Sequence, residues 1–204
     1  MHQYNLNENN IAKAVVLCTE ALIIPGSFLL VPTETVYGLV CSWNDTVARN
    51  NIYTAKNRPE QKPFQMLVDS LDMVKKQGGI ISDITSKIVE HFCPGPITLI
   101  IPSKDNSTIG FRMPEYNFIH ELITHHAFPL AGTSANLSGN DPALEVGQAL
   151  NELKLEPNVV IDGGIIPSTS LASTVVRVDG SNLEVLREGP VSLEAIKCLL
   201  GSHI

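Results

Sequence analysis

The sequence predicts a three-layer α/β domain with a mixed sheet. Two observations carry this reading: helix-patterned and strand-patterned segments alternate along nearly the whole chain, and Ile97 to Ile101 is a continuous apolar run bounded by turn residues, typical of a central strand. No repeat, low-complexity stretch or linker interrupts the alternation, so residues 1–204 are read as a single domain.

The elements follow in order. Apolar residues at helical spacing from Ile11 to Ile24, after Asn10 as cap, end at Pro25-Gly26, and Ser27 to Val31 is strand-like. A second helix starts after the cap Asp45 and runs toward Asn57, which puts Lys56 and Arg58 at a helix end. A buried strand over Phe64 to Val68 precedes a short helix at Leu71 to Gln77 and an amphipathic helix at Ser82 to Phe92. Pro94-Gly95-Pro96 turns the chain into Ile97 to Ile101. Ile109 to Met113 forms a strand, Glu115 to His126 a helix, Phe128 to Thr133 a strand, and Ala143 to Leu150 a helix opening behind Pro142. Strands at Val159 to Asp162, Ser173 to Val178 and Leu183 to Arg187 precede a last helix from Ser192, and Gly163 to Ser170 reads as a flexible loop.

Composition narrows the function. With 204 residues, 44% of them hydrophobic, the chain buries a core without disulfides or metal. Fourteen Lys and Arg against 21 Asp and Glu give a formal charge of -7, a field that repels phosphate backbones, so any nucleic-acid contact is local. Cys18, Cys41, Cys93 and Cys198 lie far apart and form no CxxC pair, which fits a reducing, cytoplasmic setting. The polar segment Met1 to Asn10 does not read as a signal peptide, and the apolar runs are too short for a membrane span.

The motifs exclude several chemistries. There is neither a GxGxxG nor a GxxxxGK[ST], and no HExxH or Cys/His cluster; no metal ligands are assigned, His125 and His126 being read as dipole-pairing or solvated residues. Gly132-Thr133-Ser134-Ala135-Asn136 has Asn where a nucleophile elbow needs its second glycine.

Positive features gather at strand ends. Thr33 and Thr35 follow a strand, with Gly38 read as a turn glycine and Glu34 as a solvated turn residue. Lys56 and Arg58 offer a point charge and a planar fork, a combination suited to polyphosphate, and Pro59 fixes the exit of the chain. Thr133 to Gly139 crowds hydroxyl and amide side chains into a strand exit; its alternative is a turn that satisfies its own backbone. Ser173 and Arg187 also sit at strand termini.

In this order, PTETVYGL, KNRP followed by Pro63, PGPITLI, GFRMP, GTSANLSG, STVV and LREG resemble the YrdC-like family of threonylcarbamoyl-AMP synthases, over Ile11 to Val191. The resemblance implies a twisted, open sheet with a large concave cleft. It implies a nucleotidyltransferase that joins L-threonine, bicarbonate or CO2, and ATP with Mg2+, and releases threonylcarbamoyl-AMP and pyrophosphate. A downstream transferase then modifies tRNA to threonylcarbamoyladenosine (t6A). Residue by residue, it implies threonine binding by Thr35, Arg112, Ser134 and Ser173, and ATP binding by Arg58, Lys62, Thr108, Asn136 and Arg187, with Lys56 supporting the phosphates and Tyr37 shaping the threonine pocket. Leu67 stands where many relatives have histidine, Tyr116 likewise, and Arg177 replaces a frequent acidic residue. The lack of a linker and second domain implies the short, bacterial-type form. Alternatives are a YrdC-like paralogue of unsettled activity and a non-catalytic RNA-binding module.

Overall fold

The computed structural model describes residues 1–59, 62–169 and 171–201. Its ten-stranded sheet runs from edge to edge as β1 (His2–Asn5), β8 (Val159–Asp162), β2 (Leu29–Val31), β3 (Gly38–Ser42), β7 (Leu130–Ser134), β4 (Gln65–Leu67), β6 (Thr108–Arg112), β5 (Ile97–Pro102), β9 (Thr174–Asp179) and β10 (Asn182–Arg187). β1–β8, β8–β2, β4–β6 and β5–β9 pair in parallel and the other neighbours antiparallel, so the sheet is mixed. The helices are α1 (Ile11–Leu22), α2 (Thr46–Lys56), α3 (Leu71–Lys76), α4 (Asp83–Phe92), α5 (Asn117–His126), α6 (Val146–Glu152) and α7 (Leu193–Leu200).

Strand alternation explains the layers. Leu29, Val31, Val40, Leu130 and Ile161 pack with α1 and α5, while the intervening Leu30, Leu39, Cys41, Ala131 and Val160 pack with α2 and α6. Both faces of that half of the sheet are thus covered. In the other half, Ile97, Leu99, Ile101, Phe111 and Val176 pack under α3, α4 and α7, whereas the alternating Thr98, Ile100, Gly110, Arg112 and Val175 line an open cavity. Ile97 to Ile101 is therefore interior to the sheet but covered by helices on one face only, and the exposed face builds the site.

Local chemistry sets the helix starts. Asp45 caps α2 by accepting from the Ala48 amide at 2.9 Å, and its other oxygen accepts from Gly26 N at 2.8 Å, which ties the helix to the turn before β2. Ser82 and Ser192 cap α4 and α7 in the same way. Asn10 makes no such bond to α1; its carboxamide instead joins Asn7 N and Asn5 O, holding the loop behind β1.

Two strands differ from the sequence reading. β1 is polar and mostly exposed, so period-2 hydrophobicity does not mark it. Gly38 opens β3 and pairs with Ser134, with no positive φ, so it is a strand residue and not a turn glycine. α6 begins at Val146, later than Pro142 suggested. Among the described residues, no helix is long and apolar enough to cross a membrane. The end of the Gly163 to Ser170 loop, Ser170, lies outside the described residues.

Candidate active site

The cavity encloses about 410 Å³ where the open face of β4, β6, β5 and β9 meets the segment after β2, the exit of β7 and the end of α2. That volume suits a small organic ligand. Three hydrogen-bonded groups build it.

The first surrounds Arg112, which is 4% exposed. Its Nη1 donates to Thr35 Oγ1 at 3.2 Å and its Nη2 reaches Glu34 Oε1 at 2.6 Å, while Thr33 Oγ1 lies 3.0 Å from Thr35 Oγ1 and takes the Val36 amide. The reading of Glu34 as a solvated turn residue is corrected: it is the counter-ion that orients Arg112, and it also accepts from Glu115 N at 3.0 Å.

The second crosses the floor. Thr98 Oγ1 donates to Gln65 Oε1 at 3.1 Å and lies 2.9 Å from Ser173 Oγ, whose carbonyl accepts both Nε and Nη2 of Arg187. Burial of part of Arg187, with the Arg112 charge nearby, lowers its pKa from the usual guanidinium value.

The third is the turn after β7. Asn136 Nδ2 donates to Leu137 O and Asn140 O, and its Oδ1 accepts from Ser134 Oγ at 2.5 Å. Lys56, 1% exposed, drives its ammonium into the same turn, donating to Ser134 O and, at 2.6 Å, to Asn136 O. Burial, then repulsion from Arg58, lowers the Lys56 pKa to about 7, with Glu152 opposing. Glu152 Oε2 closes the turn through Leu137 N, and Gly139 completes it at φ 105, a value that favours glycine. α2 ends on Asn57 in the left-handed conformation (φ 47), so the chain reverses and Lys56 points into the turn while Arg58 goes to the cavity.

Thr35, Arg112, Ser134, Ser173, Arg58, Thr108 and Arg187 all line the cavity. Lys56 and Asn136 stand behind its wall, their polar atoms engaged in the turn, and the exposed Lys62 offers its carbonyl to Arg58 Nε at 3.1 Å. Tyr37 is fully buried, and burial raises its hydroxyl to about 12; it donates to Gly164 O at 2.7 Å and accepts from Gly163 N, so it anchors the 163–164 loop rather than walling the cavity. Sequence reasoning missed Gln65, Thr98 and Glu152: Thr98 lies within PGPITLI but reads there as a strand residue, Gln65 and Glu152 carry no motif signal, and their roles arise only when β4 and β5 flank β6 and when α6 returns to the turn.

Among the described residues the lining includes four arginines and no carboxylate, and no cluster of three His, Cys, Asp or Glu forms. The fold and site define an α/β protein with an arginine-lined, hydroxyl-rich cleft. The model of the Sua5/YciO/YrdC family, described as "telomere recombination", matches residues 21–189, and the chain belongs to that family. It is similar to the threonylcarbamoyl-AMP synthase of Bacillus subtilis, with 28% identity over 98% of this chain and 59% of the relative. It is also 33% identical, over 86% of this chain and 84% of the relative, to the putative threonylcarbamoyl-AMP synthase of Mycobacterium tuberculosis. Among solved structures, P. abyssi Sua5 complexed with L-threonine superposes with a TM-score of 0.82 at 27% identity, over 98% of this chain and 60% of that one. The chain thus spans about three fifths of the length of the Bacillus and Pyrococcus relatives.

Proposed function

We propose that this chain is an L-threonylcarbamoyladenylate synthase, a nucleotidyltransferase acting in the cytoplasm and supplying t6A modification of tRNA. The observation that carries it is the gathering of Arg112, Thr35, Ser134 and Ser173 with Arg58, Thr108 and Arg187 around one cavity whose described lining holds no carboxylate. The names of the relatives, and the threonine in the Sua5 complex, support the same substrate.

The chemistry balances without a protein nucleophile. The threonine amine adds to bicarbonate-derived CO2 to give a carbamate, with water released. A carbamate oxygen attacks the α-phosphorus of ATP, the bond to the β-phosphate breaks, and pyrophosphate leaves. The protein's work is to place two anions side by side and to neutralise the charge that develops on the phosphates. Arg112, held by Glu34, takes the substrate carboxylate, and Arg58 and Arg187 take phosphate oxygens as planar forks. Lys56 acts one step removed, by fixing the turn that presents Ser134. Mg2+ would be held chiefly by the phosphates of ATP, since the cavity lining offers hydroxyls but no carboxylate among the described residues. It would neutralise charge on the leaving pyrophosphate.

An adenylate of this kind is a reactive intermediate, so a downstream transferase acting on tRNA is the partner. Direct tRNA contact is weak, given the charge of -7. The test is pyrophosphate release that requires threonine, bicarbonate, ATP and Mg2+ together; release that ignores threonine or bicarbonate sinks the proposal.

A further inference from the structure

β2, β3 and β7 lie side by side and antiparallel in turn, so the start of β2, the end of β3 and the start of β7 share one end of the sheet. The segments that carry Thr35 and Ser134 leave these strands at the other end. The turns that close the first end, α1 to β2, β3 to α2 and α5 to β7, are tied together. Gly26 N donates to Asp45 Oδ2 at 2.8 Å, Trp43 N donates to Pro129 O at 2.9 Å, and His126 Nε2 lies 3.2 Å from Ser42 Oγ. His125 Nδ1, 3.1 Å from Thr19 Oγ1, joins α5 to α1 beside them.

On this frame stand Ile23 (71% exposed), Ile24 (59%), Val47 (54%) and Phe128 (52%), four of the eleven large hydrophobic side chains exposed among the described residues. Val47 Cγ1 lies over the turn, within 3.2 Å of where a Cβ on Gly26 would stand, and the Phe128 ring is 5.9 Å from that of His126. Together the four expose roughly 450 Å² of apolar surface, the size of the largest patch on a typical monomer. At the usual apolar share of an interface, that core corresponds to about 800 Å² per copy, the standard size for specific association. Charge points to the occupant. The chain carries -7, yet segments 23–27, 42–47 and 125–129 hold a single carboxylate, Asp45, whose oxygens are taken by Ala48 N and Gly26 N. A partner steered by charge finds little to meet here, whereas an uncharged apolar face is complementary to its own copy across a twofold axis.

We infer that the face made by Ile23, Ile24, Val47 and Phe128 is the interface of a symmetric homodimer. The pairing leaves the Thr35 and Ser134 segments of both copies uncovered and requires nothing of the synthase reading.

Sedimentation equilibrium of the wild type, Val47→Asp, Ile24→Asp and Val16→Asp tests this, with thermal melts alongside. Val47 lies in the first turn of α2, where a carboxylate is favoured, so Val47→Asp retains the fold while burying a charge in the interface. Val16 is exposed on α1 away from the turns and serves as control. The wild-type mass is expected to rise from 22.1 kDa toward twice that value, with a Kd below about 100 μM. Val47→Asp and Ile24→Asp are expected to raise the Kd by about 100-fold or more, and Val16→Asp by less than about 3-fold. A wild type that stays near 22.1 kDa at about 100 μM overturns the assignment. So does a dimer that Val47→Asp and Ile24→Asp weaken no more than Val16→Asp does. Co-sedimentation of a monomeric wild type with phosphatidylcholine vesicles, lost in Ile24→Asp, would also overturn it and give the face to a lipid surface.

Discussion

Glu34 Oε1 lies 2.6 Å from Arg112 Nη2, and this pair fixes the cation that the proposed substrate carboxylate must meet. The two side chains are 17% and 5% exposed, so the contact is only weakly screened. Glu34 is thus a positioning residue. Its substitution is expected to act on threonine more than on ATP.

Glu34→Gln keeps an acceptor for the Glu115 amide but removes the charge opposite Arg112. The expected stability loss is about 1–3 kcal/mol, the usual cost of a degraded buried hydrogen bond to a charged group. The KM for threonine is expected to rise several-fold with the KM for ATP nearly unchanged. Initial-rate kinetics and urea denaturation check this, and an equal rise in both constants would refute the assignment.

Lys56 gives a pH signature. Its pKa is about 7 in the folded protein against 10.5 for an ordinary lysine, so between those values the unfolded chain binds more protons at this residue. Wild-type stability is therefore expected to climb with pH from 7 toward 10.5 relative to Lys56→Met, and the difference should be flat below pH 7. Lys56→Met also orphans the carbonyls of Ser134 and Asn136, at about 1–3 kcal/mol each. Urea midpoints of both proteins at several pH values measure this; parallel curves would contradict it.

Arg58 donates to Lys62 O and Pro63 O and lies 5.9 Å from the Phe64 ring centroid, so it holds its own loop as well as facing the cavity. Arg58→Ala is expected to lower turnover by about 100-fold or more, in the range set by removing a charge-stabilising donor. Stability should fall by only about 1 kcal/mol, because both hydrogen bonds are exposed. Equal losses in melting temperature and activity would give it a structural role instead.

Tyr37→Phe deletes the two hydrogen bonds that the phenol makes to Gly163 and Gly164 at little change in volume. About 1–3 kcal/mol of stability should be lost, and amide exchange at 163–164 should accelerate while β3 remains protected. Unchanged exchange in that loop would show that Tyr37 does not anchor it.

Much of the fold was legible because most core elements carry their period: the α1 stripe, Ile97 to Ile101, and the Asp45, Ser82 and Ser192 caps lie where the pattern indicates. β1 was not, because an exposed polar edge strand has no hydrophobic signature. Among the residues named in advance, those that line the cavity are hydroxyls and arginines at strand or helix ends. The sequence could not tell which polar groups spend themselves internally. Lys56 and Arg58 are two positions apart, yet the left-handed Asn57 sends one into a turn and the other to the cavity. Glu34 looked solvated because its partner is distant in sequence at Arg112.

The most direct test of the central claim uses 13C-bicarbonate. Purified protein is incubated with threonine, ATP and Mg2+, and the adenylate is analysed by mass spectrometry. A threonylcarbamoyl-adenylate one mass unit heavier than the product of ordinary bicarbonate is expected, formed in step with pyrophosphate. A threonyl-adenylate lacking the labelled carbon, or no adenylate at all, would contradict it.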